Sequence, residues 1–228
     1  MNHVNPVEEP VLIVIAKSPV PCLSKTRLSP PCSPEQAAAI AEASLADTLQ
    51  AVAEVPAVRR VLVLEGAPGP WLVPGVDVVP QRGSGLDERL AAAFDDCGGP
   101  ALLIGMDTPQ VTPALLGACL ATLAGPGVGA VLGPAIDGGW WAIGLQSPDP
   151  AVFVGVPMST PHTGSAQRRR LEGLGLAVRQ LPTLRDVDVW EDAVSVAVAP
   201  QARFAAAVAA VQRELARAED AAPAPAGR

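Results

Sequence analysis

Aromatic side chains are scarce in this chain: they make up 3% of its 228 residues, and tyrosine is absent. Its core has to be assembled from alanine, valine and leucine. Long apolar runs are missing too. Although 49% of the residues are hydrophobic, no stretch approaches the roughly 20 residues that a bilayer-spanning helix requires. The opening MNHVNPVEEP lacks the basic-then-apolar order of a secretory signal, so a soluble, cytoplasmic protein with no membrane partner is expected. Cysteine is confined to Cys22, Cys32, Cys97 and Cys119, without a C-x-x-C pair or histidine companions. That argues against a zinc site or a disulfide framework and predicts reduced thiols. Positive charge is short as well, with 16 Lys and Arg against 23 Asp and Glu and a net charge of −7. Nucleic acid, whose backbone demands a positive footprint, is not an expected partner.

Against this acidic background one basic segment stands out, Val11 to Leu28, VLIVIAKSPVPCLSKTRL. Its opening run, Val11 to Ile15, shows no alternation, which predicts a strand buried on both faces of a parallel sheet. Ligands in such sheets bind beyond the carboxyl ends of the strands. Lys17, Lys25 and Arg27 follow with K-x7-K-x-R spacing, Pro19 and Pro21 stiffen the chain between them, and no carboxylate intervenes. Three cations so placed suit an anionic ligand, above all a polyphosphate; a plain solvated basic loop is the other reading.

The length allows one large domain or two small ones, and no break in composition divides it. A single nucleotide-binding domain over residues 8–217 is expected, followed over 218–228 by a tail, AEDAAPAPAGR, too small and proline-rich to offset its ordering entropy. Ser33-Pro34-Glu35-Gln36 combines an N-cap, a first-turn proline and a capping-box glutamine, so a helix of about five turns is predicted to near Glu54. Strands are predicted at Val61–Leu64, Val76–Val79, Ala101–Gly105, from Val128, at Trp140–Leu145 and in LAVRQLP. Helices are predicted after GSG, after Thr112-Pro113, around Arg168–Glu172 and from near Asp192 to Ala218 with a break at Pro200. This alternation implies a three-layer αβα sandwich with a mostly parallel sheet.

Asp107 follows a predicted buried strand at the same sheet edge as the basic loop. A carboxylate facing a phosphate site makes sense if Mg²⁺ or Mn²⁺ mediates, since such ions take one or two carboxylates plus phosphate oxygens. Capping of the Thr108-Pro109 turn is the structural alternative. Asp186 and Asp188, in LRDVDVWED, offer further metal ligands or simply cap a helix. In Asp137-Gly138-Gly139 the glycines either let the backbone approach a ligand or form a hairpin turn. Trp140 and Trp141 then wall a sugar or base, or fill core. His162 is a general base or a surface residue, and Arg168, Arg169 and Arg170 read as a solvated helix face rather than a phosphate site.

KSPVPCLSKTRL, IGMDTPQVTPALL, GPAIDGGWWAIGL and LPTLRDVDVWED, in this order and covering about Val11 to Val198, resemble a bacterial GT-A-like family, DUF2064, of the nucleotide-diphospho-sugar transferase superfamily. The first motif is also similar to that of phospholactate guanylyltransferases and, more distantly, molybdenum-cofactor guanylyltransferases. The resemblance implies a GT-A fold. It places Lys17, Lys25 and Arg27 at nucleotide phosphates, Asp107 at the metal, Asp137, Gly138 and Gly139 at the acceptor side, and matches Asp186 and Asp188 to late carboxylates of the pattern. Cys22 replaces a usual glycine, Trp140-Trp141 an aromatic pair that normally contains tyrosine, and Val189-Trp190 a threonine-containing turn. The expected reaction is Mg-dependent nucleotidyl transfer from a nucleoside triphosphate to a small phosphorylated acceptor, with release of pyrophosphate. The alternative is glycosyl transfer from a nucleotide-sugar, which normally relies on a fuller D-x-D than Gly105-Met106-Asp107.

Overall fold

A computed structural model describes residues 9–197 and 202–221. The first strand, β1 (Val11–Lys17), is followed by a 3-10 turn at Thr26–Leu28 and by helix α1 (Pro34–Ala53). Then come β2 (Arg59–Glu65), β3 (Asp77–Pro80), α2 (Leu86–Cys97), β4 (Ala101–Gly105) and α3 (Pro113–Leu123). The second half contains β5 (Ala130–Pro134), β6 (Trp140–Leu145), α4 (Thr163–Gly173), β7 (Val178–Gln180), α5 (Trp190–Val196) and α6 (Ala202–Ala221).

The strands form one seven-stranded sheet in the order β3-β2-β1-β4-β6-β5-β7. Only β6 runs against its neighbours, pairing antiparallel with both β4 and β5, while the other pairings are parallel. This is the expected three-layer αβα sandwich with a mostly parallel mixed sheet. The unbroken apolar run of β1 has the reason inferred for it. Leu12, Val14 and Ala16 enter a cluster with α1 and α3, whereas Val11 and Ile13 enter another with α2, Phe153 and Leu171. Each fully buried leucine or valine contributes about 1.5–3 kcal/mol, so a polar residue on either face of β1 would be costly. The few aromatics are concentrated where bulk is needed, as in the stacked pair Phe94 and Phe153, 5.1 Å apart.

Helix α1 begins as its sequence dictates. The Ser33 side chain accepts from the Gln36 amide at 3.2 Å, and the Gln36 side chain accepts from the Ser33 amide at 2.7 Å. Thr112 caps α3 in the same manner, accepting from Leu115 N at 3.1 Å. A third cluster, with Leu28, Ile40, Val187, Phe204 and Val208, fastens α5 and α6 to α1. The predicted tail needs correction at its start. Ala218 to Ala221 continue α6, because the run that contains them, RELARAEDA, has high helix propensity and extends a helix already anchored by Phe204, Val208 and Val211. The rest of that tail, the N-terminal eight residues and Pro200 lie outside the described residues. All four cysteines are free, and burial pushes the Cys119 thiol up to about 11. Among the described residues no helix is long and apolar enough to cross a membrane.

Candidate active site

The chain leaves β1 toward β2 and β3 on one side and returns through β4 on the other, so the sheet order reverses between β1 and β4. A crevice opens outside the carboxyl ends of the strands at such a switch point. Here it has a volume of about 1080 Å³ and is lined by the end of β1, the loop through Arg27, Gly105 to Asp107, and segments reaching it from Gln81, Asp137, Met158 and Asp186.

The loop after β1 is held by its own polar groups. Val20 O accepts from the Leu23 and Ser24 amides, and Ser24 Oγ accepts from Val20 N at 2.8 Å. The chain then turns through a left-handed Lys25, φ 49°, into the short 3-10 turn that seats Leu28 in the core. This geometry sends Lys25 inward, and its side chain is only 10% exposed. Its Nζ lies 2.7 Å from Asp107 Oδ1 and 3.6 Å from Asp188 Oδ1, and donates to the Val187 carbonyl. An ammonium has three donors, and all three face protein acceptors. Arg27 and Lys17 are 73% and 68% exposed. Each meets a single carboxylate, Arg27 that of Asp188 at 3.2 Å and Lys17 that of Glu65 at 3.1 Å. The hydrogen bond from Lys17, with help from Arg89, holds the Glu65 carboxyl below its ordinary range. The loop expected to be free of carboxylates is therefore matched with them by the fold.

Two backbone ladders assemble the acidic side. Val187 N donates to Asp107 O at 2.8 Å, joining the β4 loop to the late segment. The β5–β6 hairpin joins the same segment: Leu184 N donates to Pro134 O at 3.1 Å and Ile136 N to Leu184 O at 3.0 Å. The second ladder carries Asp137 to Asp186 and Asp188, and one carboxylate oxygen from each of the three lies within 4.8 Å of the other two. Of the expected metal ligands Asp107, Asp186 and Asp188, the last two share this cluster with Asp137, while Asp107 lines the same cleft against Lys25 Nζ. Burial, the charges of Asp137 and Asp188, and only partial relief from Lys25 push the Asp186 carboxyl up to about 6. Oxygen-only donors whose mutual repulsion is only partly compensated by Lys25 and Arg27 fit a hard divalent cation such as Mg²⁺ or Mn²⁺.

The Asp137-Gly138-Gly139 turn is the tip of a hairpin, and its glycines serve a close backbone approach within the protein. At Gly138, φ 94°, a Cβ would collide with the carbonyl oxygen of Pro161, and at Gly164 a Cβ would lie 2.5 Å from Gly139 O. Gly164 N donates to Gly138 O at 2.9 Å, and Asp137 Oδ1 accepts from Gly139 N at 2.7 Å. The two tryptophans divide. Trp141 is core and donates to Pro182 O at 2.9 Å, whereas Trp140 lines the cleft. His162 is exposed and absent from the cleft lining. Arg168 donates to Gln180 at 2.9 Å, and Arg170 to the Ala151 and Val154 carbonyls at 2.6 and 2.9 Å, so both brace the fold.

Sequence reasoning missed Gln81, Arg89, Ser159 and Thr160, which also line the cleft. Gln81 donates to Ala16 O at 2.7 Å and accepts from Arg89 at 3.2 Å, and Arg89 also pairs with Glu65. Nothing in DERL distinguishes Arg89 from an ordinary surface arginine on an amphipathic helix. Its role emerges only when β2 brings Glu65 alongside.

The model of a family described as uncharacterized proteins conserved in bacteria, DUF2064, matches residues 45–160. No curated protein matches the chain in sequence. Among solved structures, a protein from Desulfovibrio desulfuricans G20, provisionally named a nucleotide-diphospho-sugar transferase, is 26% identical. It matches over 90% of this chain and 97% of its own with a TM-score of 0.77. CMP:2-keto-3-deoxy-manno-octonic acid synthetase complexed with CTP is 12% identical over 82% of this chain and 96% of its own, with a TM-score of 0.54. Rv0371C of Mycobacterium tuberculosis in complex with manganese is 18% identical over 82% and 97%, with a TM-score of 0.50. The last two share the fold, which is that of GT-A-like nucleotidyl- and glycosyltransferases. With the family match spanning more than half of its residues, the chain belongs to the DUF2064 family.

Proposed function

We propose that this protein is a metal-dependent transferase acting on a nucleotide, and that it moves a nucleotidyl group from a nucleoside triphosphate to a small acceptor. The observation that carries the reading is the pairing, in one cleft at the switch point, of a three-carboxylate cluster with the cation-bearing loop after β1. The names of the solved relatives agree with it, one being a CTP-bound synthetase and another a nucleotide-diphospho-sugar transferase by provisional name.

Asp137, Asp186 and Asp188 would hold the divalent ion, which when bound supplies charge neutralisation to phosphate oxygens. The exposed Lys17 and Arg27 meet incoming phosphates first, since each has a single carboxylate to release. Lys25, anchored by Asp107 and Asp188, supplies a fixed positive charge behind them. Such preorganised charge stabilises the phosphate oxygens as negative charge redistributes over them. In the transfer an acceptor oxygen bonds to the α-phosphorus, the bond from that phosphorus to the β-bridging oxygen breaks, pyrophosphate leaves, and the acceptor proton passes to water.

Glycosyl transfer is the second reading, and one observation favours it. Every cation of the loop already faces a carboxylate, so the surplus positive charge is smaller than three free cations would provide and matches a diphosphate as well as a triphosphate. Product analysis separates the two. Incubation with each nucleoside triphosphate and pooled acceptors in the presence of Mg²⁺ or Mn²⁺ is expected to release pyrophosphate. Release of a nucleoside diphosphate from a nucleotide-sugar, with no pyrophosphate from any triphosphate, establishes glycosyl transfer instead.

A further inference from the structure

The two sides of the cleft differ in charge. All four of its basic residues, Lys17, Lys25, Arg27 and Arg89, come from the end of β1, the loop after it and α2. A second stretch of the lining consists of Trp140 and the 158–163 segment, and none of its cleft-lining residues carries positive charge. The nearest basic residues in sequence do not serve it. Arg168 and Arg170 are engaged with Gln180 and with the Ala151 and Val154 carbonyls, and Arg169 and His162 do not line the cleft. The adjoining group is anionic: Asp137 precedes the wall and belongs to the carboxylate cluster. Lys25 and Arg27 offset that cluster only from the loop side, through Asp188, so the wall itself presents a phosphorylated acceptor with no cation of its own.

What the wall offers is of another kind. Met158 and the Trp140 ring are apolar, and Thr160 and Thr163 carry hydroxyls tied into the turn, with Thr163 Oγ1 accepting from Thr160 N at 3.0 Å. Ser159 is exposed, and its hydroxyl makes no hydrogen bond among the described residues. Its backbone is held left-handed at φ 57°, an unfavourable conformation for serine that persists only when its surroundings enforce it. A free hydroxyl and an aromatic ring lining the same cleft are the equipment that recognises the hydroxyl edge and apolar face of a carbohydrate or similar polyol.

We propose that the acceptor is an uncharged, polyhydroxylated small molecule received on Trp140 and Ser159, and not the phosphorylated compound that the basic loop by itself suggests. The inference rests on the reading of the cleft as a nucleotide-using site and holds for either donor, since a hydroxyl oxygen is a competent nucleophile toward a phosphorus or an anomeric carbon.

The test uses binding, in two stages. Thermal shift with each nucleoside diphosphate and Mn²⁺ addresses the nucleotide reading alone; absence of any shift removes that reading and the inference with it. With the bound nucleotide then saturating, calorimetry compares matched pairs: glycerol with glycerol 3-phosphate, glucose with glucose 1-phosphate, and mannose with mannose 1-phosphate. At least one neutral member is expected to bind about tenfold more tightly than its phosphorylated partner. Ser159→Gly, which suits the left-handed backbone while removing the hydroxyl, should weaken that binding about fivefold and leave nucleotide affinity unchanged. Equal or tighter binding of the phosphorylated members, binding by none of the neutral ones, or indifference to Ser159→Gly overturns the acceptor class while leaving the nucleotide reading intact.

Discussion

The two walls of the cleft are built by different physics. On the β1 side, shape is set by charge: Lys25 sits almost out of solvent among Asp107, Asp188 and the Val187 carbonyl, and Glu65 joins Lys17 to Arg89. On the other side, shape is set by backbone contact, with Pro161 and Gly164 pressed against the Gly138-Gly139 turn so closely that side chains are excluded. Ion pairs can exchange a carboxylate for a phosphate, because one acceptor oxygen replaces another. Interlocked backbone cannot exchange anything. A cleft so divided has one adaptable wall and one rigid wall, with Asp137 at the joint between them.

The largest expected effect breaks the rigid wall. Gly138→Ala adds a Cβ against Pro161 and strains a positive φ, and should cost about 3 kcal/mol of stability in chemical denaturation. Mn²⁺ affinity should fall as well, because the turn that presents Asp137 must move. A variant with unchanged denaturation midpoint and metal affinity would show the interlock to be looser than described.

Next comes the adaptable wall, where the anchored cation and the exposed one should separate. Lys25→Met leaves Asp107 and Asp188 without their shared ammonium. Since both carboxylates are partly exposed, the loss of stability should be about 1–2 kcal/mol, well below that for a fully buried pair. Arg27→Met, at an exposed pair, should change stability by less than about 0.5 kcal/mol. It should nonetheless weaken triphosphate binding by about 1.5–3 kcal/mol, measured by calorimetry with Mg²⁺. Equal stability losses in the two variants would erase the distinction between anchored and exposed cations.

The smallest effect concerns the joint. The folded-state value of Asp186, about 6, lies above its ordinary 3.8, so its ionisation disfavours the metal-free fold. That penalty is absent below about pH 3.8, grows between there and pH 6, and is complete above it. Asp186→Asn should therefore raise the metal-free Tm at pH 8 by a few degrees, with a smaller gain at pH 5, while abolishing the stabilisation that Mn²⁺ confers. A gain independent of pH, or persistent stabilisation by Mn²⁺, would remove Asp186 from the cluster.

Much of the fold was legible because its signals are short-range. The Ser33 and Gln36 capping box acts across three residues, and the Val11–Ile15 run declares burial on both faces whatever its neighbours are. The end of α6 was misread because composition after Ala218 was weighed apart from the helix that reaches it. The site was legible only in part. Lys25, Arg27, Asp107, Asp186 and Asp188 were singled out and all line one cleft, yet their partners were not foreseen. Gln81, Arg89 and Ser159 gave no sign, since each is an ordinary polar residue until strands distant in sequence bring it to the cleft.

The sequence alone therefore determined the layers and the placing of a charged loop at the end of a buried strand, since both follow from apolar patterning and local capping. Tertiary structure decided which charges meet. Lys25 and Asp188 are 163 residues apart in the chain, and Asp137 reaches Asp186 only through the hairpin's hydrogen bonds to Leu184. Coulombic interaction depends on distance in space, and strand order and register set that distance.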